Sequence, residues 1–156
     1  MQQNTDIIPR WDDLTDLSWK EKVAYLAYEN SKLPQANSPV RHIWVDGFYI
    51  REMCIPAGAL VVGREHLLGH ETELVIGEVL HVTDSERRKL SAPYREHTTP
   101  GYHVIVYTLT DIVCRTVHPN PNGVTDYKVL EDIIFGPAEE VMKLGESISV
   151  KRLQSQ

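Results

Sequence analysis

Between Val40 and Val117 the apolar residues fall in short runs, several with polar residues at alternate positions, separated by glycine, proline and polar turns. HIWV (42–45), FYIREMCI (48–55), ALVVGRE (59–65), TELVIGEVLHVT (72–83), VIVYTL (104–109) and DIVCRTV (111–117) read as strands, since β-branched and aromatic residues suit a pleated, half-buried surface. Many short strands at this spacing predict a sandwich or a small barrel. HPNPNG (118–123) is a strong breaker.

The pattern differs on either side. Residues 1–16 are polar with isolated apolar positions (Ile7, Ile8, Trp11, Leu14) and read as an arm that packs on something. Ser18-Trp-Lys-Glu21 has the form of a capping box, followed by Trp19, Val23, Leu26 and Ala27 at helical spacing. Pro34 and QANSP (35–39) end that helix. Beyond the breaker, DYKVLEDIIF (126–135) fits helix or strand. Pro137 followed by AEEVMKLG (138–145) predicts a short helix with Gly145 just past its end, and VKRLQSQ (150–156) reads as a fraying tail. The expected organisation is an arm and helix over 1–39, a β-barrel core over 40–120, and an extension over 121–156 that packs on the barrel.

Composition narrows the function classes. A net charge of −6 over 156 residues argues against nucleic acid as a partner, because binding a phosphate backbone needs a basic surface. No apolar run has the length of a membrane span, and the first ten residues lack the regions of a signal peptide, so the expected location is cytoplasmic. Cys54 and Cys114 sit in apolar runs and read as small buried thiols rather than a disulfide framework. There is no phosphate-binding loop, dinucleotide fingerprint or nucleophile-elbow motif.

The stretch GALVVGREHLLGHETELVIG (58–77) carries the chemistry. Gly58, five residues, Arg64-x-His66, three residues, His70, six residues and Gly77 fall on the frame of the first cupin motif, and Thr99-Pro100-Gly101-Tyr102-His103-Val104 resembles the second. The chain therefore resembles the cupin superfamily over residues 45–118. With FYIREMCIPAG, TTPGYH, YTLTD and RTVHPNPNG it also resembles small single-domain cupin-like proteins of tailed bacteriophages, for which the location becomes the host cytoplasm. The resemblance implies a mainly β fold, a cupin-type jelly-roll barrel with an N-terminal helix and a short C-terminal one, and a homodimer.

A metal-binding cupin places histidines where this chain has Arg64 and His66, and a glutamate where it has His70. In the second motif the ligand position falls on Val104, with His103 one residue early. The metal set implied is His66, His70 and His103, with His118 an alternative, for one divalent ion (Zn, Fe, Ni or Mn); imidazole suits these metals. Strand alternation, if regular, turns Leu60, Val62, Arg64 and His66 the same way. Arg64 then points into the barrel, where a guanidinium cannot ligate a metal but can hold a carboxylate or phosphate. Arg64, Tyr102, Tyr107 and His118 are the candidates for binding a small, anionic molecule; an ion pair of Arg64 with Glu65, Glu71 or Glu73 is the alternative. Arg51 and Glu52 lie on alternate faces of a strand, so that one of them can face the pocket, and read first as a surface ion pair; Asp111 reads as a turn residue, Glu71 and Glu73 as solvated, and His42, His81 and His97 as structural or exposed. Three functions follow as expectations: binding of a small molecule in the barrel with or without a divalent metal, a metal-dependent enzyme acting on a small metabolite, and a non-catalytic protein that sequesters an anionic ligand or serves as a structural partner.

Overall fold

The computed structural model describes residues 13–155, so Ile7, Ile8 and Trp11 of the N-terminal arm lie outside the described residues. The chain divides into two compact units, residues 1–35 with 138–156 and residues 36–137. No helix among the described residues is long and apolar enough to cross a membrane.

The first unit pairs helix α1 (Trp19–Ser31) with helix α3 (Ala138–Gln154). The capping box forms as expected: the Ser18 backbone N–H donates to Glu21 Oε1 at 3.0 Å, and the Glu21 N–H donates to Ser18 Oγ at 3.2 Å. The buried face is Lys22, Val23, Ala24 and Leu26, with Trp19 and Ala27 only half-buried. Gly145 does not end α3, as its place in the sequence suggests. The helix runs through it to Gln154, taking in most of the expected fraying tail. Its lack of a side chain serves packing instead, because a Cβ there would fall 2.1 Å from the Ala24 carbonyl oxygen.

The second unit is the β-barrel. Its strands are β1 (Val40–Val45), β2 (Phe48–Ile55), β3 (Leu60–Val62), β4 (His70–Ile76), β5 (Glu78–Val82), β6 (Arg87–Ser91), β7 (Tyr94–Thr98), β8 (Ile105–Thr108) and β9 (Ile112–Pro119), followed by helix α2 (Tyr127–Ile134). The ambiguous segment 126–135 is therefore helical, capped by the Asp126 carboxylate on the Lys128 N–H. One sheet has the order β1-β2-β9-β4-β7 and the other β3-β8-β5-β6. The antiparallel pairs β2·β9, β3·β8, β4·β7 and β5·β6 are nested like one long hairpin wrapped around a barrel. That nesting defines a jelly-roll, so the mainly β, jelly-roll expectation is met, with helices at both ends of the chain.

Two strands escaped the sequence reading. β6 (RRKLS) and β7 (YREHT) carry too many charges to stand out, and each lies at the edge of its sheet, where charge discourages pairing with other chains. They join through the cis Ala92–Pro93 bond. The run 72–83, which reads as one strand, is two strands in different sheets. Gly77 makes the corner at φ 97°, where a Cβ would meet the Asp111 carbonyl oxygen at 2.4 Å.

Alternation gives the five-stranded sheet two different faces. Outside, Glu52, Arg115, Glu73 and Arg95 stand in one cross-strand row, linked by contacts of 2.7, 3.7 and 3.4 Å. Inside, the rows change character from one end to the other. Ile55 with Ile112, and Met53 with Cys114, Leu74 and Tyr94, belong to an apolar core that Val79 joins from the second sheet. Next comes Arg51, Thr116, Thr72 and Glu96, and then Tyr49 beside His118 and His70 beside Thr98. The cysteines separate on this pattern. Cys114 faces in and burial pushes its thiol up to about 11, whereas Cys54 faces out and is exposed, contrary to the expectation for both.

Candidate functional site

The polar end of the barrel is built around three imidazoles. β4 begins at His70 and β9 brings in His118 near its end, on adjacent strands with ring centroids 4.9 Å apart. His66 comes from irregular chain after β3: its N–H donates to the Tyr102 carbonyl, and Gly101 N–H returns a bond to the His66 carbonyl, both at 2.8 Å. Its ring lies 4.1 Å from His70 and 5.7 Å from His118, with interplanar angles of 23° and 5°. The stack continues through Tyr49, 5.8 Å from His118, to His42 on β1, a further 5.8 Å on. All three site histidines are buried.

The cover is α2 and the residues after it. Leu67 N–H donates to the Ile134 carbonyl at 2.7 Å and Gly136 N–H to the Glu65 carbonyl at 2.9 Å, so residues 134–136 bind alongside 65–67 like a short strand. Phe135 is thereby set edge-on to His66 at 5.0 Å and to His118 at 6.2 Å. Tyr49, Leu130, Ile134 and Phe135 form their own apolar cluster over this end.

Burial decides the charge state of the cluster. Desolvation lowers His66 to about 4 and His118 to about 3, and the neighbouring histidines and Arg51 add repulsion. His70 shifts the same way, chiefly from burial. All three are therefore neutral at pH 7, each able to donate from one nitrogen and accept at the other. Two nitrogens are already used, His70 Nδ1 and His118 Nε2, each 2.8 Å from a threonine hydroxyl, Thr98 and Thr116 respectively. His66 Nδ1 and His118 Nδ1 are buried without any partner. Beside the cluster, the Tyr102 hydroxyl and His81 Nε2 are 3.0 Å apart, and burial pushes the Tyr102 phenol up, out of its ordinary range.

The site residues singled out in the sequence do not all meet here. His66, His70, His118 and Tyr102 come together, Tyr102 lying 6.3 and 6.1 Å from the first two rings. His103 is placed elsewhere, with Nδ1 3.3 Å from the Gly63 carbonyl and Nε2 3.7 Å from Glu65. Tyr107 pairs with Leu60 and Leu80, while the adjacent Val106 pairs with Val61 and His81. Tyr107 thus lies on the face of its sheet opposite His81, with its buried hydroxyl unpartnered. Arg64 does not follow regular alternation, because β3 stops at Val62. Its guanidinium packs 5.1 Å from the Phe135 ring, donating to Glu131 at 2.7 Å and the Gly136 carbonyl at 2.8 Å. Its carboxylate partner comes from α2 and not from Glu65, Glu71 or Glu73.

Sequence reasoning ranked Arg51 as a surface residue ahead of a pocket one and passed over His42 and His81. Arg51 is no surface ion-pair residue. It faces in beside Thr116, and Glu52 alone takes the outer pair, with Arg115. His42 and His81 each meet a tyrosine hydroxyl, of Tyr49 and Tyr102, and His97 pairs with Glu71 at 2.8 Å. The available signal was parity: Tyr49, Arg51, Met53 and Ile55 share a face, and one arginine interrupts an otherwise aromatic and apolar series.

The divalent metal implied by the cupin resemblance meets a mixed donor set. Neutral imidazole is the form that ligates metal. Yet among the described residues no three His, Cys, Asp or Glu are grouped to hold an ion. This arrangement does not fit the ion.

No protein-family model matches this chain, and no curated protein does. Among solved structures it is similar to a cupin-2 domain protein from Shewanella frigidimarina, at 12% identity over 59% of this chain and 89% of that one, TM-score 0.46. It is also similar to an RmlC-like cupin from Methanocaldococcus jannaschii, at 12% identity over 56% and 84%, TM-score 0.47. A third is the acetylacetone dioxygenase of Acinetobacter johnsonii, at 13% identity over 58% and 68%, TM-score 0.47. These named neighbours are bacterial and archaeal and lend no support to the bacteriophage resemblance. The assignment of a jelly-roll rests on the strand order of this chain itself.

Proposed function

We propose that the protein binds a small molecule at the histidine end of its barrel. The observation that carries this reading is the pair of buried, unpartnered nitrogens, His66 Nδ1 and His118 Nδ1, inside a cluster of imidazoles held neutral. Buried polar atoms are nearly always bonded in a folded protein, and leaving one unmatched costs about 1–3 kcal/mol. Two such atoms in one buried cluster are explained if a guest bonds to them. Tyr102 and Phe135 flank the cluster, and the half-exposed Arg64–Glu131 pair anchors α2 at this end of the barrel. Entry requires the 134–136 segment to part from 65–67. The homodimer belongs to the same proposal: β1 is an edge strand with Trp44 and Val45 exposed, and light scattering reads the mass.

Native mass spectrometry of untagged protein purified without chelator tests the reading, alongside plasma mass spectrometry for metals. The expected result is an organic guest retained by the wild type and lost from a His66→Gln/His118→Gln variant. Stoichiometric zinc, iron, nickel or manganese lost in that variant instead makes the cluster a metal site and reopens the enzyme reading. Neither guest nor metal, with the fold intact, overturns the proposal and leaves the structural role.

A further inference from the structure

We propose that the guest carries an oxyanion, a carboxylate or phosphate group, and that Arg51 is the residue that holds it. This rests on the small-molecule reading above and names the ligand class. Arg51 lies on the inner face of β2, in register with Thr116 on β9 and His42 on β1. Its guanidinium carbon is 5.9 Å from the Phe135 ring, the ring that also touches His66 and His118. Its Nε is buried with no partner.

An inward-facing arginine without a carboxylate is costly, because a guanidinium stays charged and presents five donors. The carboxylates around it are engaged elsewhere. Glu52, its neighbour in sequence, is held by Arg115 on the outer face; Glu131 is held by Arg64; Glu96 stands at the other end of the interior row on β7, beyond Thr116 and Thr72, and accepts from the Tyr94 hydroxyl at 3.2 Å. His66 and His118, which feel the Arg51 charge, are held neutral by burial and offer no balancing charge. The missing counter-charge is thus the natural guest, forked on Arg51, with hydrogen bonds from His66 Nδ1 and His118 Nδ1 when those nitrogens carry their protons. The sequence points to Arg64 for this role, but Arg64 already has Glu131 and the Gly136 carbonyl.

Calorimetry with two probes, inorganic phosphate and oxalate, tests the assignment and separates the two sources of an oxyanion. At low ionic strength the wild type is expected to bind at least one of them. Arg51→Gln should weaken that binding at least about tenfold, as expected for a lost charge-assisted fork, whereas Arg64→Gln should change it less than about threefold. Without anion, Arg51→Gln should melt no lower than wild type, since an unpaired charge has been removed; a purely structural arginine would give the reverse. Failure of both probes to bind, or equal binding by Arg51→Gln, overturns the inference. If Arg51→Gln does not fold, the 15N resonance of Arg51 Nε in the wild type decides: it should move on adding the anion, and a static resonance overturns the inference. A neutral guest retained by Arg51→Gln in native mass spectrometry would leave the pocket reading standing and remove only the oxyanion.

Discussion

At one end of the five-stranded sheet the inner row is Met53, Cys114, Leu74 and Tyr94; four residues along each strand, Tyr49, His118, His70 and Thr98 occupy the same face. Backbone, register and alternation are continuous between them. The apolar end does what a barrel core is expected to do, removing Ile55, Leu74, Val79 and Ile112 from water. The polar end has the same burial and works against stability, because it strips water from imidazoles and an arginine and returns fewer hydrogen bonds than it removes. A chain selected for stability alone would carry leucine and valine there. The difference is one of partners: one end forms the apolar core, and the other holds buried polar atoms, His66 Nδ1, His118 Nδ1 and Arg51 Nε, that have no hydrogen-bond partner among the described residues.

The largest expected effect comes from the cover of the polar end. Phe135 packs on Tyr49, Leu130 and Ile134 and meets both His66 and His118. Phe135→Ala should lower unfolding stability by about 3–5 kcal/mol, measured by urea titration followed by circular dichroism. A loss below about 1 kcal/mol would mean that the cover is not part of the folded core.

Direct exchange of the two ends follows. Leu74→Ala should cost about 2–5 kcal/mol. His118→Leu, at a site equally closed to water, should cost less than about 1 kcal/mol or stabilise, because one ring nitrogen has no partner to lose and the other only a threonine hydroxyl. Equal losses for the two would erase the contrast and make the histidine layer structural.

Acid should separate the ends more gently. The unfolded chain protonates its histidines near pH 6.5, while burial holds His66 to about 4 and His118 to about 3 in the folded barrel. Between those values the unfolded state binds more protons, so stability is complete above about pH 6.5 and falls as pH drops towards 4. Each such imidazole contributes at most about 1.4 kcal/mol per pH unit. Melting temperatures between pH 7.5 and 5 should fall in the wild type and flatten in His66→Gln/His118→Gln. Identical slopes would show that the rings are not held neutral.

Much of the scaffold was legible in the sequence, and the site only in part, for one physical reason. FYIREMCI matches β2 residue for residue, and the Ser18–Glu21 box caps α1, because both depend on neighbours within a few positions. His66 and His70 were visible as a pair because they are local. His118 could be named as a candidate but not joined to that pair, and Arg51 could not be told from Glu52, since only the nested order of a jelly-roll sets β9 between β2 and β4 and so brings residue 118 against residue 70. Gly145 misled for the same reason: a glycine near a helix end and one at a helix crossing look alike until the crossing partner, Ala24, is known. β6 and β7 hid because edge strands are written in charge.

The smallest effect sharpens the comparison between the two arginines of the polar end. Arg64 and Glu131 are each about one-third exposed, at 33% and 37%, and join at 2.7 Å. Pairs this exposed contribute about 0–1 kcal/mol, so Glu131→Gln should shift the urea midpoint very little. Its effect on the guest is more telling. The substitution removes a negative charge and leaves Arg64 with only the Gly136 carbonyl, an unneutralised guanidinium 5.1 Å from the Phe135 ring that Arg51 also approaches. If Arg51 holds an oxyanion, the affinity for phosphate or oxalate should stay level or rise modestly in Glu131→Gln. A fall would mean that the Arg64–Glu131 pair, by fixing α2 over the barrel, governs binding more than charge does, and the contrast between an engaged and an open arginine would lose its force.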